Sequence, residues 1–209
     1  GSYTVAYGNN SHTEGANTLA IGISSHAEGY YATASADYSH AEGINTVASG
    51  SYSHAEGNYS IAFGSSSHAE GLNSYAIGEG SHAEGYYTVA RGYASHTEGA
   101  GTIASGSYQT VVGRYNTHNN ATPVFVVGGG TNDSTRKDVL VITTASVAIT
   151  GSTNITGAVS ITGPLNVSSG ITGSLQGTAA TASYMAFTGL GITVNGTAFT
   201  ASVRSVNGT

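Results

Sequence analysis

The sequence predicts an all-β protein whose first half is a parallel β-solenoid with 14-residue coils. The first observation is a strict repeat, because the phrase Ser39-His40-Ala41-Glu42-Gly43 returns every 14 residues. The second is an intervening phrase, such as Thr46-Val47-Ala48-Ser49-Gly50, which divides each coil into two seven-residue units. A fixed period without insertions is what a stack requires, because each coil contacts only its neighbours.

Seven copies of the repeat keep this period. Its histidines are His12, His26, His40, His54, His68, His82 and His96, and its glutamates are Glu14, Glu28, Glu42, Glu56, Glu70, Glu84 and Glu98. Coils stacked at the usual strand spacing of about 4.8 Å would rise roughly 34 Å over residues 1–107.

Alternation along each short strand separates small residues from large ones. In the histidine phrase, Ser, Ala and Gly are expected to share one face, while His40 and Glu42 share the other. Only small residues fit between two strands that approach closely, so we expect the small face to be the interior. Pairs such as Ile61 and Phe63 then point outward from the second strand.

The second strand is therefore expected to carry an apolar column on its outer face. A monomer would expose this column to water, and such a stripe usually marks an interface. Closed cyclic symmetry is the usual way to cover it. The predicted interface residues are Leu19, Val47, Ile61, Phe63, Ile77, Val89 and Ile103.

The Ser-x-Ala-x-Gly heptads of residues 1–107 resemble the head repeats of trimeric autotransporter adhesins. The variant seen in His40-Ala41-Glu42 is similar to heads carried by bacteriophage tail fibres. The resemblance implies a left-handed parallel β-roll assembled as a homotrimer, located in a virion tail fibre or on a cell surface. The family has no active site to carry over.

Two segments of different character follow. Residues 108–143 contain strand candidates at 123–127 and 139–142 with a turn at Gly128-Gly129-Gly130, which predicts a small β cap on the last coil. In residues 144–209, Ile-Thr-Gly recurs from Ile149 at six-residue steps, which predicts a thin trimeric β-shaft and a C-terminal β segment. No helical periodicity indicates the coiled-coil stalk usual after an autotransporter head, which favours a phage-like fibre.

Composition argues against several classes of function. The net charge is −6 with only 5 basic residues, which disfavours a nucleic-acid partner. The chain has no cysteine for a disulfide framework. Neither a secretory signal nor an apolar run long enough to cross a membrane is present, so no membrane insertion is expected. Because it begins in mid-repeat, we interpret the chain as a piece of a longer protein.

The His and Glu columns offer imidazole and carboxylate ligands, for example at His40, Glu42, His54 and Glu56. A metal site needs three or four converging ligand atoms, and columns on an open face are not expected to converge, so no metal or other cofactor is predicted. Histidines meeting on a trimer axis are the alternative. A nearby carboxylate should raise each histidine pKa, which predicts better thermal stability near pH 5.5 than near pH 8.

Exposed tyrosines are the best binding candidates, because their rings could stack on sugars. The candidates are the tyrosines Tyr30, Tyr31, Tyr52, Tyr59, Tyr86 and Tyr87, together with the exposed polar ladder at His40, Glu42, His54 and Glu56. The alternative is that tyrosines pack on one another between coils or subunits. Seven equivalent glutamates single out no catalytic pair, so no enzyme is predicted.

We therefore expect a structural, adhesive segment of a phage tail fibre or similar virion appendage. Its expected partners are a host cell-surface glycan or protein receptor and other virion tail proteins. A bacterial surface adhesin and a glycan-degrading tail spike are the alternatives.

Overall fold

Two parallel β-sheets form the walls of the solenoid in the computed structural model, which describes residues 1–118 and 122–153. One wall, the histidine sheet, contains the strands that begin at the repeat histidines. The other, the short-strand sheet, contains two-residue strands from the intervening phrases. The two kinds of strand alternate along the chain, so each coil adds one strand to each wall.

Both series of strands run in parallel to the end of the stack. The short-strand sheet contains β1 (Val5–Ala6), β3 (Leu19–Ala20), β5 (Thr33–Ala34), β7 (Val47–Ala48), β9 (Ile61–Ala62), β11 (Tyr75–Ala76), β13 (Val89–Ala90) and β15 (Ile103–Ala104). The solenoid part of the histidine sheet contains β2 (His12–Ala16), β4 (His26–Tyr30), β6 (His40–Ile44), β8 (His54–Ala55), β10 (His68–Leu72), β12 (His82–Tyr86), β14 (His96–Ala100) and β16 (Thr110–Arg114).

Successive coils are in register, so equivalent residues pair directly. His40 pairs with His54 and Ala41 with Ala55. The predicted parallel solenoid with 14-residue coils is therefore confirmed. The stacking also continues past residue 107, because Thr110 takes the histidine position opposite His96.

Alanine fills the interior, as predicted. Ala41 and Ala55 from one sheet and Ala48 from the other have no exposed surface. The serine that opens the histidine phrase is also buried: the Ser39 hydroxyl donates to the Ala36 carbonyl at 2.6 Å, and Ser67 makes the equivalent bond to Gly64. These bonds satisfy a buried hydroxyl and hold the preceding turn.

The glycine that ends the histidine phrase lies outside the interior, so its predicted place on the alanine face is wrong. Gly71 is exposed and has a φ of +100°, in the left-handed region. This conformation breaks the two-residue alternation at the end of the phrase. A Cβ at Gly71 would lie 2.3 Å from the Gly85 carbonyl oxygen. The glycine of the intervening phrase, for example Gly64, is buried as expected.

Three further strands extend the histidine sheet. β17 (Phe125–Gly129) is parallel to β16, whereas β18 (Asp138–Ile142) and β19 (Val147–Ile149) are antiparallel additions. Gly128 and Gly129 lie within β17, so the turn predicted at 128–130 is wrong. The connection to β18 instead contains a 3-10 turn at Asp133–Thr135. Most of the predicted shaft, residues 154–209, lies outside the described residues.

Side chains cover the last edge of the short-strand sheet. The Asn116 Oδ1 accepts from the Ile103 amide at 2.8 Å, and its Nδ2 donates to the Ile103 carbonyl at 3.0 Å. The Gln109 Oε1 accepts from the amides of Ser105 and Gly106. These side-chain amides take the place of the backbone that a further coil would supply, so the edge is not left open for pairing.

Across residues 1–118 and 122–153, no helix is long and apolar enough to cross a membrane.

Candidate functional site

Seven histidines form a continuous column on the outer face of the histidine sheet. From His26 to His82, neighbouring ring centroids are 4.6 to 4.8 Å apart and the ring planes lie within 3° to 7° of one another. The end pairs, His12–His26 and His82–His96, are edge-on instead. The parallel register creates this column, because the spacing between strands is also a favourable distance for stacked rings.

The glutamates form a second column that leans against the first. The His40 Nε2 lies 3.6 Å from the nearest Glu42 oxygen. The His82 Nε2 lies 3.8 Å from Glu70 of the preceding coil and 3.8 Å from Glu84 of its own coil. These distances are too long for hydrogen bonds, so the carboxylates act on the imidazoles through charge.

The Nε2 nitrogens of the stacked rings are shielded from water. Within the described residues, the Nε2 atoms of His26, His40, His54, His68 and His82 are buried and have no hydrogen-bond partner. The rings themselves remain about one-third exposed. Stacking therefore covers the nitrogen while leaving part of each ring open.

This shielding reverses the predicted direction of histidine titration. Burial lowers the pKa of His54, and the neighbouring His40 and His68 lower it further, while Glu56 and Glu42 raise it by less. The pKa of His82 is lowered in the same way, first by burial and then by its histidine neighbours. The prediction of raised values is wrong at these two positions, because it considered the glutamates and omitted desolvation and histidine–histidine repulsion.

At His54 and His82, the contribution to the pH dependence of stability therefore has the opposite sign to the prediction. A histidine whose folded pKa lies below its ordinary value of 6.5 binds more protons in the unfolded chain. Its contribution to stability is fully present above pH 6.5 and is lost as the pH falls through the folded pKa. His54 and His82 therefore favour the folded chain at neutral or mildly alkaline pH.

The two columns also converge, contrary to prediction. Five triplets of His and Glu place one ligand atom from each residue within 4.8 Å of the other two. The triplets are His12–Glu14–His26, His40–Glu42–His54, Glu56–His68–Glu70, Glu70–His82–Glu84 and Glu84–His96–Glu98. The expectation that columns on an open face cannot converge is wrong, because His and Glu side chains of one strand lean toward each other and toward the next coil.

An open groove follows the glutamate column on its other side. It is lined by the glutamates and the left-handed glycines of successive coils: Glu42, Gly43, Glu56, Gly57, Glu70, Gly71, Glu84, Gly85, Glu98 and Gly99. Because the coils are equivalent, the groove repeats the same chemical groups at each step. It is an acidic track along the solenoid and gives no carboxylate a distinct environment.

The opposite wall carries the predicted apolar column. Leu19, Val47, Ile61 and Val89 are partly buried, while Phe63 is 52% and Ile77 is 41% exposed. Ile103 is only 8% exposed within its own chain, so it offers little outer surface. The solenoid thus has one face of titratable groups and one of apolar groups.

A comparison with known families identifies the repeat. Four stretches, residues 1–25, 14–35, 41–67 and 69–90, match the model of the YadA head domain repeat. These parts of the solenoid are similar to YadA head domain repeats. No curated protein matches the chain. The predicted resemblance to adhesin heads is confirmed, and the matched part of the chain is an adhesin-like head or fibre segment.

The predicted tyrosines of the solenoid do not form one binding platform. Tyr30 and Tyr86 are the last residues of strands β4 and β12, and Tyr31, Tyr59 and Tyr87 lie in the turns that follow the histidine phrase. Tyr52 lies on a turn that precedes it. The Tyr30–Tyr31 and Tyr86–Tyr87 pairs are edge-on, at 4.6 and 4.5 Å, and lie four coils apart. Tyr52 stacks on Tyr38 of the preceding coil at 5.0 Å. All six remain about half exposed or more, and sugar binding by them stays a prediction.

Left-handed turn residues are a feature of the head that sequence reasoning missed. Within the turns that follow the histidine phrase, Tyr31, Asn45, Tyr59 and Asn73 have φ values between 53° and 58°. Asparagine tolerates this conformation, whereas a bulky tyrosine rarely adopts it. The asparagines Asn17, Asn45 and Asn73, which recur every 28 residues, were the signal, since they mark a column that requires positive φ.

Proposed function

We propose that the chain is part of a homotrimeric attachment fibre of a bacteriophage, in which the YadA head presents a binding surface to the host cell. The observation that supports this proposal is the uncovered apolar column beside a polar opposite wall. Phe63 and Ile77 expose 52% and 41% of their surface in the single chain. Three such columns meeting at an axis would remove this apolar area from water.

In a trimer whose apolar columns meet at the axis, the His and Glu columns would face outward. Because those columns and the acidic groove repeat along the solenoid, each subunit would offer several equivalent contacts. Three subunits multiply weak contacts with a repetitive surface such as a glycan, since linked sites gain from effective concentration. The proposed location is extracellular, on the virion.

Two features favour a phage fibre over a bacterial surface adhesin. The first is the His-Ala-Glu form of the repeat, as in His40 to Glu42. The second lies within the described residues, where strands β17, β18 and β19 follow the last coil and extend its sheet. The bacterial adhesin is the alternative for the same head.

A cell-binding assay with the full chain tests the proposed function. Fluorescent protein should bind saturably to a restricted set of bacterial strains, and isolated surface glycan or protein from those strains should compete. The matched control is the Ile61→Asp variant, which should be monomeric and bind more weakly by about 10²-fold or more, because it loses multivalency. Binding to animal cell matrix with none to any bacterial strain would favour the bacterial adhesin instead.

We further propose that the chain has no hydrolytic activity. A glycosidase needs two carboxylates with different environments across one bond, whereas the groove repeats equivalent glutamates. Purified protein should release no reducing sugar from host polysaccharide. Release that disappears in a Glu70→Gln variant would support a tail spike enzyme instead.

A further inference from the structure

The His and Glu columns form sets of ligand atoms with the spacing of a metal site. In the Glu70–His82–Glu84 triplet, the His82 Nε2 lies 3.8 Å from an oxygen of Glu70 and 3.8 Å from an oxygen of Glu84. The ligand oxygens of Glu70 and Glu84 lie at most 4.8 Å from each other. A point equidistant from the three atoms is then no more than about 2.5 Å from each, whereas zinc bonds to imidazole nitrogen and carboxylate oxygen are about 2.0 to 2.2 Å long. Shifts of a few tenths of an ångström would complete the coordination.

In the described part of the chain, the ion pairs of the His and Glu columns join the two columns only to each other. Glu70 and Glu84 pair directly in the parallel ladder, and like charges opposite each other destabilise a sheet. Among the ion pairs of the described residues, the partners of the repeat glutamates are all histidines. The buried Nε2 atoms of five histidines have no hydrogen-bond partner in the same part of the chain. A cation between the columns would satisfy both groups.

We propose that the His and Glu columns are a ladder of binding sites for a borderline divalent metal ion such as Zn²⁺, with each site formed by three side chains from two successive coils. The donor set selects the metal class, because imidazole with carboxylate suits zinc or nickel, whereas calcium and magnesium prefer oxygen alone. Water would supply the fourth ligand, as is usual where only three come from protein.

Sharing of ligands limits the number of ions. The Glu70–His82–Glu84 triplet shares Glu70 with the triplet before it and Glu84 with the triplet after it. Of the five triplets, at most four can therefore hold an ion at the same time, and the empty one is then Glu70–His82–Glu84. Filled sites would then lie about one to two coils, or roughly 5 to 10 Å, apart, and the closest two, His40–Glu42–His54 and Glu56–His68–Glu70, share the coil of His54.

Each ion would join two coils, so binding should stabilise the stack as well as occupy its surface. Ligands that bind only the folded chain raise its melting temperature. We expect Zn²⁺ to raise the melting temperature of the solenoid, and EDTA to reverse the effect. The proposed attachment function does not depend on this property.

Zinc titration of the full, tag-free chain tests the proposal, with bound metal counted by calorimetry and elemental analysis. The wild-type chain should bind more than one and up to four Zn²⁺ ions. The double variant Glu70→Gln and Glu84→Gln keeps side-chain size but removes charge, and it should weaken binding at the affected sites by at least about tenfold. The matched control is His118→Ala, which removes a histidine outside the columns and should leave the count unchanged.

A second measurement on the wild-type chain avoids any dependence on variant folding. Zinc should shift the ¹⁵N resonances of the column histidines at Nε2 and leave those of His118 in place. Binding of less than one ion per chain, equal binding by the glutamine variant, or unshifted column histidines would each overturn the proposal. A loss in His118→Ala equal to that in the glutamine variant would also overturn it.

Discussion

Replacing Gly71 with alanine tests how closely successive coils are stacked. Gly71 has a φ of +100°, and a Cβ there would lie 2.3 Å from the carbonyl oxygen of Gly85 in the next coil. Real Cβ atoms essentially never come closer than 3.0 Å to such an atom. The difference of 0.7 Å must be met by moving one coil against the next, where the backbone ladder resists it.

Two costs add in this variant. An L-residue in the left-handed region costs about 1 to 2 kcal/mol relative to glycine. Displacing the Gly85 carbonyl also disturbs the hydrogen bond that it accepts from the Ser74 hydroxyl at 3.2 Å, and the loss of satisfied buried groups costs about 1 to 3 kcal/mol. We expect Gly71→Ala to destabilise the folded chain by about 2 to 5 kcal/mol.

Two matched glycines separate these costs. At Gly80, φ is +62° and nothing lies within 4 Å of a Cβ, so Gly80→Ala should lose only the conformational part, about 1 to 2 kcal/mol. At Gly64, outside the left-handed region, a Cβ would lie 2.0 Å from the Gly78 oxygen, so Gly64→Ala tests the steric part alone.

Thermal melts followed by far-UV circular dichroism provide the assay. A chain of this size loses about 2 to 4 °C per kcal/mol, so Gly71→Ala should lower the melting temperature by about 4 to 20 °C. Gly80→Ala should have the smallest effect of the three. Equal melting temperatures for Gly71→Ala and Gly80→Ala would refute the close approach of the coils.

Three further predictions concern pH, assembly and the solenoid edge. With EDTA present, the melting temperature should fall between about pH 8 and about pH 5.5, because burial lowers the pKa of His54 and His82; a rise would contradict this sign. Ile61→Asp should dissociate the oligomer in sedimentation experiments, since it places an unpaired charge in the interface, whereas the exposed turn variant Ser65→Asp should not. Asn116→Ala should destabilise the chain by about 2 to 4 kcal/mol and speed amide hydrogen exchange in β15, because the side chain loses its two hydrogen bonds to Ile103 and a third to the Thr117 carbonyl; unchanged exchange there would exclude the edge role.

The period of the sequence was sufficient to predict the backbone of the solenoid. A step of 14 residues without slippage requires His40 to pair with His54, and the small size of Ala41 requires it to lie inside. The two-residue alternation of side chains did not predict the position of Gly43 correctly. Alternation applies to extended backbone, whereas Gly43 has a φ of +105°. The asparagines and glycines of the turns are the local signal for such positions.

The chemistry of the His and Glu columns was less predictable. The positions of His82 and Glu84 follow from the repeat, but the sign of the histidine pKa shift depends on how the stacked rings shield Nε2. The convergence of both columns depends on side-chain rotamers, which the sequence does not specify. The role of Asn116 was also missed, since a single amide outside the repeat carries no periodic signal.

The molecular mass in solution tests the attachment-fibre account most directly. One chain has a mass of 20.8 kDa, and a homotrimer has three times that mass, 62.4 kDa. Sedimentation equilibrium of the wild-type chain should give the trimer mass at low micromolar concentration, and Ile61→Asp should give 20.8 kDa. A wild-type chain that stays monomeric while folded would contradict the account, because its apolar column would then face water without a partner.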